Sequence, residues 1–145
     1  MPTVTRSRTV PRRRQEVWEL VSDPWQLPRW WPHVERVEEA TPETWTTVML
    51  SSRGRAIRAD HTRTASEEPE RLEWRQELDE SPFERVFASA STVVELGAED
   101  DASTRVELTA EERLRGRYRL GGWLVRRAAR RRLDDALAAI AAATE

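Results

Sequence analysis

Arg58, Asp60 and His61 form the best cluster in this chain for acid–base chemistry. Enol and carbonyl steps need a base poised near neutral pH, and histidine is the side chain that titrates there. Asp60 and His61 are sequence neighbours, however, so on a strand they face opposite sides and cannot act as a local dyad. The competing reading is a polar outer face on which Asp60 pairs an arginine across strands. His33, the other histidine, follows Pro32 and is expected at the surface. Paired carboxylates such as Glu67-Glu68 and Asp100-Asp101 fall in expected loops, where charge solubilises.

The residues that are missing exclude more chemistry than those present suggest. The chain has no cysteine, which removes thiol nucleophiles, disulfides, iron–sulfur clusters and cysteine-ligated zinc. All 24 basic residues are arginine, so Schiff-base chemistry and a phosphate-loop lysine are excluded as well. The histidines and carboxylates show no metal-ligand spacing, and no glycine-rich phosphate loop or nucleophile elbow occurs. Neither a metal nor a cofactor is expected. A net charge of −2 asks for neither nucleic acid nor an anionic membrane at the level of the whole chain. The arginine-rich tract 126–132 reads as a solvated face with Arg130–Asp134 and Arg131–Asp135 pairs, not as a nucleic-acid site.

These residues must be positioned by one domain, because 145 residues leave no room for two. No apolar run approaches a membrane span and no secretory h-region opens the chain, so the expectation is a soluble, cytoplasmic domain over 1–145. Thr3–Val10 reads as a strand, and residues 12–22 as a helix with Val17, Trp18, Leu20 and Val21 on one stripe. Asp23-Pro24 suits a cap and a first-turn proline for a short helix holding Trp25, Trp30 and Trp31. Strands follow at 34–39, 45–51, 55–64, 72–78, 83–96 and 104–110, with an acidic loop over 97–103. A long amphipathic helix closes the chain from about Gly122 to Ala143, with Ala129, Leu133, Ala136, Leu137, Ile140 and Ala141 on its apolar face. Short connections favour an antiparallel meander, and only the last helix is long enough to cover it.

Two strands leave their inward parity open. Along 83–96 the row Val86, Ala88, Ala90, Thr92, Val94, Leu96 is the more convincing inward set. A bulge near Pro82 or Ala88 could swing Phe83, Arg85 and Phe87 inward instead. On the cleanest strand Trp74 and Gln76 share a face with Leu72 and Leu78, and a buried amide there must find a hydrogen bond.

The order of elements resembles the START-like or SRPBCC superfamily, helix-grip proteins of birch-pollen-allergen architecture, and most of all its polyketide cyclase/dehydrase-like bacterial branch. The residues that carry the resemblance are Val10-Pro11, Glu16–Pro24, Leu27-Pro28-Arg29-Trp30-Trp31-Pro32, Thr104–Leu108 and the closing helix. It implies an α+β fold in which a curved antiparallel sheet wraps a long C-terminal helix, with two short helices after the first strand and an internal cavity. It also implies a hydrophobic small-molecule ligand, lipid, isoprenoid or polyketide-like. Trp30, Trp31, Trp74, Gln76, Arg85, Ala88, Ala90, Trp123, Leu133 and Leu137 are the expected ligand-binding residues. The alternatives are a cyclase/dehydratase acting on a poly-carbonyl chain, with Arg58, Asp60 and His61 as catalytic candidates, and a protein-interaction module with a closed core. A homodimer is left open.

Overall fold

A computed structural model describes residues 3–79, 81 and 83–143. The threonine- and valine-rich opening becomes β1 (Thr3–Val10), which buries only Val4 and Val10, as an edge strand can. After Pro11 the chain enters α1 (Arg14–Val21), whose buried face is the expected Val17, Trp18, Leu20 and Val21. Asp23 accepts the backbone N–H of Trp25 at 3.0 Å, and Pro24 opens a single 3-10 turn, Pro24–Gln26. That turn runs into α2 (Leu27–Trp30), which buries Leu27 and Trp30.

Six strands follow: β2 (Val34–Glu38), β3 (Thr44–Leu50), β4 (Ala56–Glu67), β5 (Arg71–Glu77), β6 (Phe87–Asp100) and β7 (Ser103–Leu114). With β1 they form one antiparallel sheet in the order β1-β7-β6-β5-β4-β3-β2. The first and second strands are thus the two edges, and α1 and α2 carry the chain from one to the other.

The expected strand at 83–96 starts later and ends later. Residues 83–86 form a turn closed by the Phe87 N–H to the Phe83 carbonyl, 3.0 Å. The expected acidic loop at 97–103 is instead the far end of a long β6–β7 hairpin. Its tight turn is capped by Asp100, which accepts the Ala102 N–H at 2.8 Å. Polar and acidic residues do not forbid a strand when a long partner supplies the ladder and both faces there meet water.

The last helix, α3 (Gly122–Ala143), has the expected bounds and apolar face. It packs on β1 and β7 and against α2, so it is held between the sheet and the second short helix. Asp134 takes Arg6 of β1 in a two-pronged bond, 2.9 and 3.0 Å, in place of the expected Arg130 pair. A forked guanidinium on a neighbouring element offers better geometry than a base-first i,i+4 pair. Among the described residues no helix is long and apolar enough to cross a membrane.

Candidate functional site: an aromatic pocket with a polar floor

Four tryptophans from three parts of the chain meet on the concave face. Trp74 of β5 lies edge-on to Trp30, Trp31 and Trp45, at centroid distances of 6.2, 5.6 and 5.9 Å. Trp30 and Trp31 are themselves edge-to-face at 5.4 Å. Such T-shaped contacts set each ring's positive edge against its neighbour's negative face. The two adjacent indoles divide their roles: Trp30 is buried in the core, whereas Trp31 is half-buried and lines a pocket of about 280 Å³.

Strand register brings the rest of the lining together. Trp45 pairs with His61, Thr47 with Ala59, His61 with Gln76 and Trp74 with Thr92, so all of these share the inner face. In β6 the register shifts between Phe87 and Ser89, leaving Ala88 as the extra residue. Phe87, opposite Leu114, and Ala90, opposite Glu112, consequently both line the pocket. Phe83 in the preceding turn joins them, and α3 contributes Arg132.

Within this aromatic wall the polar groups are few and incompletely paired. His61 stacks on Trp45 at 5.8 Å and 19°, and its Nε2 is 3.1 Å from the Thr47 hydroxyl. Arg132 donates to Glu112 at 3.0 Å. Three buried nitrogens of pocket residues have no protein partner: His61 Nδ1, Gln76 Nε2 and Arg132 Nε. Buried polar atoms cost free energy unless something bonds them. Arg63, beside the cluster, lies over the Trp45 ring at 5.5 Å and donates to the Ser22 carbonyl at the end of α1.

Burial pushes the His61 imidazole down from 6.5 to about 4, with Asp60 and Glu77 opposing the shift. The imidazole is neutral near pH 7, and can accept a proton or donate a hydrogen bond according to its tautomer. A histidine with a depressed folded-state pKa binds fewer protons folded than unfolded between those two values. Stability should therefore fall as pH drops from above 6.5 towards 4. Urea titrations at pH 7 and pH 5 should show a loss of about 2 kcal/mol that a His61→Phe variant lacks; equal losses in both would assign the acid sensitivity elsewhere.

The other expected site residues lie apart from the pocket. Arg58 and Asp60 are on the outer face, Arg58 bonded to Glu38 at 3.1 Å and Asp60 accepting from the Thr46 hydroxyl at 2.6 Å. Their partners differ from the arginine expected for Asp60, but the cause of the outer placement is the parity that turns His61 inward. Arg85 is exposed in the 83–86 turn, and Ala88 is exposed at the bulge; Pro82 lies outside the described residues. Trp123 is exposed at the start of α3. Leu133 and Leu137 are packed in the core with Trp30, because the apolar face of α3 closes directly on the sheet. Trp31, Trp74, Gln76, Ala90 and His61 do line the pocket.

Glu112 and Arg132 were not anticipated, although the signal was present. Val106, Leu108 and Ala110 alternate inward, and the same parity two residues on reaches Glu112. Arg132 falls between Ala129, Leu133 and Ala136 on the buried face of α3. Among the described residues no group of three histidines or carboxylates could hold a metal ion.

A curved antiparallel sheet gripping a C-terminal helix, with an aromatic pocket beside it, is the helix-grip architecture of the START/SRPBCC superfamily. The chain belongs to the family described as polyketide cyclase / dehydrase and lipid transport, whose sequence profile matches residues 1–145. Among solved structures it is similar to a START superfamily protein from Mycobacterium smegmatis, with 13% identity over 98% of this chain and 96% of that one and a TM-score of 0.78. It is similar also to the protein XoxI from Bacillus cereus, with 14% identity, 99% and 96% coverage and a TM-score of 0.80. The Zhui aromatase/cyclase from Streptomyces sp. R1128 shares 18% identity over 98% of this chain and 92% of that one, TM-score 0.77. No curated protein matches the chain.

Proposed function

We propose that the protein binds or carries a compact hydrophobic molecule bearing ketone, phenol or hydroxyl oxygens, polyketide-like in shape, in the pocket between Trp31, Trp74 and the β6–β7 hairpin. The observation that carries this reading is the set of three buried, unpartnered nitrogens, on His61, Gln76 and Arg132, within one aromatic wall. Apolar walls with a few placed polar groups are the usual build of a small-molecule site. At about 280 Å³ the pocket is near the small end of such sites, which suits a fused-ring compound better than a full-length acyl chain.

One observation favours an enzymatic second reading, cyclisation or dehydration of a poly-carbonyl substrate. The buried His61 imidazole, a weaker base than one poised near pH 7, stands among donors that could stabilise an enolate oxygen.

The test is native mass spectrometry with organic extraction of the purified protein, followed by tryptophan-quenching titrations with bicyclic phenols. A stoichiometric apolar compound, or saturable quenching by the phenols, is expected. Ala90→Trp should fill the pocket and weaken the phenols at least tenfold while leaving the circular-dichroism spectrum unchanged. Empty protein with no quenching, or equal affinity in the filled variant, would overturn the reading. Turnover of a poly-β-ketone that His61→Ala abolishes would promote the second reading over simple binding.

A further inference from the structure

The near-neutral charge of the whole chain conceals a strong local asymmetry. Between Glu112 and Asp134 the sequence holds nine arginines and no aspartate or glutamate. The structure folds this stretch into the end of β7, a 3-10 turn over Gly116–Gly121 and the opening turns of α3; Leu114, Ala129 and Leu133 turn into the core, whereas the large apolar side chains from Tyr118 to Leu124 point outward. Leu120 is 86% exposed, Trp123 57%, Leu124 53% and Tyr118 37%. Leu120 and Trp123 share a groove with Arg119 and Arg126, and the Arg117 guanidinium lies over the Tyr118 ring at 5.4 Å. Neither the core nor the aromatic pocket uses these side chains.

Large apolar groups clustered in water mark a surface that something else covers. We infer that this patch docks the protein onto a lipid bilayer containing anionic headgroups. Trp123 and Tyr118 are the residue types that settle at headgroup level, and Leu120 and Leu124 are long enough to enter the acyl boundary. Arginines interleaved with them match headgroup phosphates, which a guanidinium engages in pairs of hydrogen bonds. The charge complement is that of an anionic surface, since no carboxylate interrupts the run. A protein partner would have to set carboxylates opposite each of these dispersed arginines, whereas an anionic bilayer offers phosphates over its whole surface.

The patch is also tied to the pocket rim. Arg115 donates its backbone N–H to the Val86 carbonyl at 2.8 Å and its Nε to the Phe87 carbonyl at 3.1 Å. Phe83 and Phe87 line the pocket. Docking through Leu120 and Trp123 therefore brings that rim towards the membrane, where an apolar molecule is taken up or released. The docking itself does not depend on what the pocket holds.

Co-sedimentation with phosphatidylcholine vesicles, with and without an equal part of phosphatidylglycerol, tests this. The protein should pellet with the mixed vesicles, far less with phosphatidylcholine alone, and less as salt rises. Trp123→Ser combined with Leu124→Ser, and separately Arg126→Glu combined with Arg127→Glu, should each cut partitioning roughly tenfold or more. All four positions are exposed, and thermal melts matching the wild type would exclude unfolding as the cause. Absence of binding to the mixed vesicles would overturn the inference, as would full binding by the Trp123→Ser/Leu124→Ser variant. So would a wild-type dimer in gel filtration that both variants convert to monomer, because a second copy would then be what covers the patch.

Discussion

Replacing Trp30 by alanine should lower the unfolding free energy by about 3–5 kcal/mol, the range for deleting a buried aromatic side chain. Trp30 is 1% exposed and touches Trp31 and Trp74 edge-on, while α2, which carries it, packs against both β2 and α3. The cavity would open where the short helices bridge the two sheet edges, so little is left nearby to collapse into it. Trp30→Phe provides the control. It keeps a ring for both contacts and removes an indole N–H that has no protein partner, so its loss should be about 1 kcal/mol. Urea midpoints at unchanged m-values would measure both. An alanine variant within 1 kcal/mol of the wild type would mean that α2 is an appendage and not part of the core.

The second large effect should come from Glu112. Its carboxylate holds Arg132 at 3.0 Å, with side chains 11% and 31% exposed respectively. Glu112→Ala leaves the guanidinium against the pocket without that partner. The expected loss is about 2–3 kcal/mol, below the 3–5 of a fully buried pair because Arg132 keeps some access to water. Adding Arg132→Leu should restore most of the loss, since two desolvated charges are then gone together. A double-mutant cycle reads the coupling directly, and additive losses would show that the pair contributes nothing beyond its separate packing. The same double variant should bind phenolic probes more weakly than the wild type, because Arg132 Nε is one of the three donors proposed to meet ligand oxygens.

Both effects concern residues whose legibility in the sequence differed. The roles of Trp30 and Trp31 could be split from sequence alone, because two adjacent indoles on a helical turn cannot both face a sheet; which one faced inward could not. Glu112 was readable in principle by extending the Val106–Ala110 alternation, but a strand expected to stop at Ala110 hid it. Ala88 was misplaced for a different reason. A bulge changes which residues face inward with no obligatory sequence mark, and the extra residue at Ala88 moved Phe87 into the lining.

Taken by itself, the order and periodicity of the residues determined the elements that rest on local signals. These are the proline-stopped opening strand, the Asp23-Pro24 cap, the alternating Trp74–Gln76 strand and the amphipathic closing helix with its six buried positions. Together with the resemblance they determined the helix-grip class. Tertiary structure alone decided the site, since a pocket is made of residues distant in sequence whose facing depends on register. His61 turned inward while Arg58 and Asp60 turned out because β3 and β5 pair with β4 in one register, and a slip of a single residue would have exchanged them. Tertiary packing likewise shut Leu133 and Leu137 into the core and left Trp123 in water, because the curvature of the sheet brings it onto the middle and end of α3 and away from its first turn.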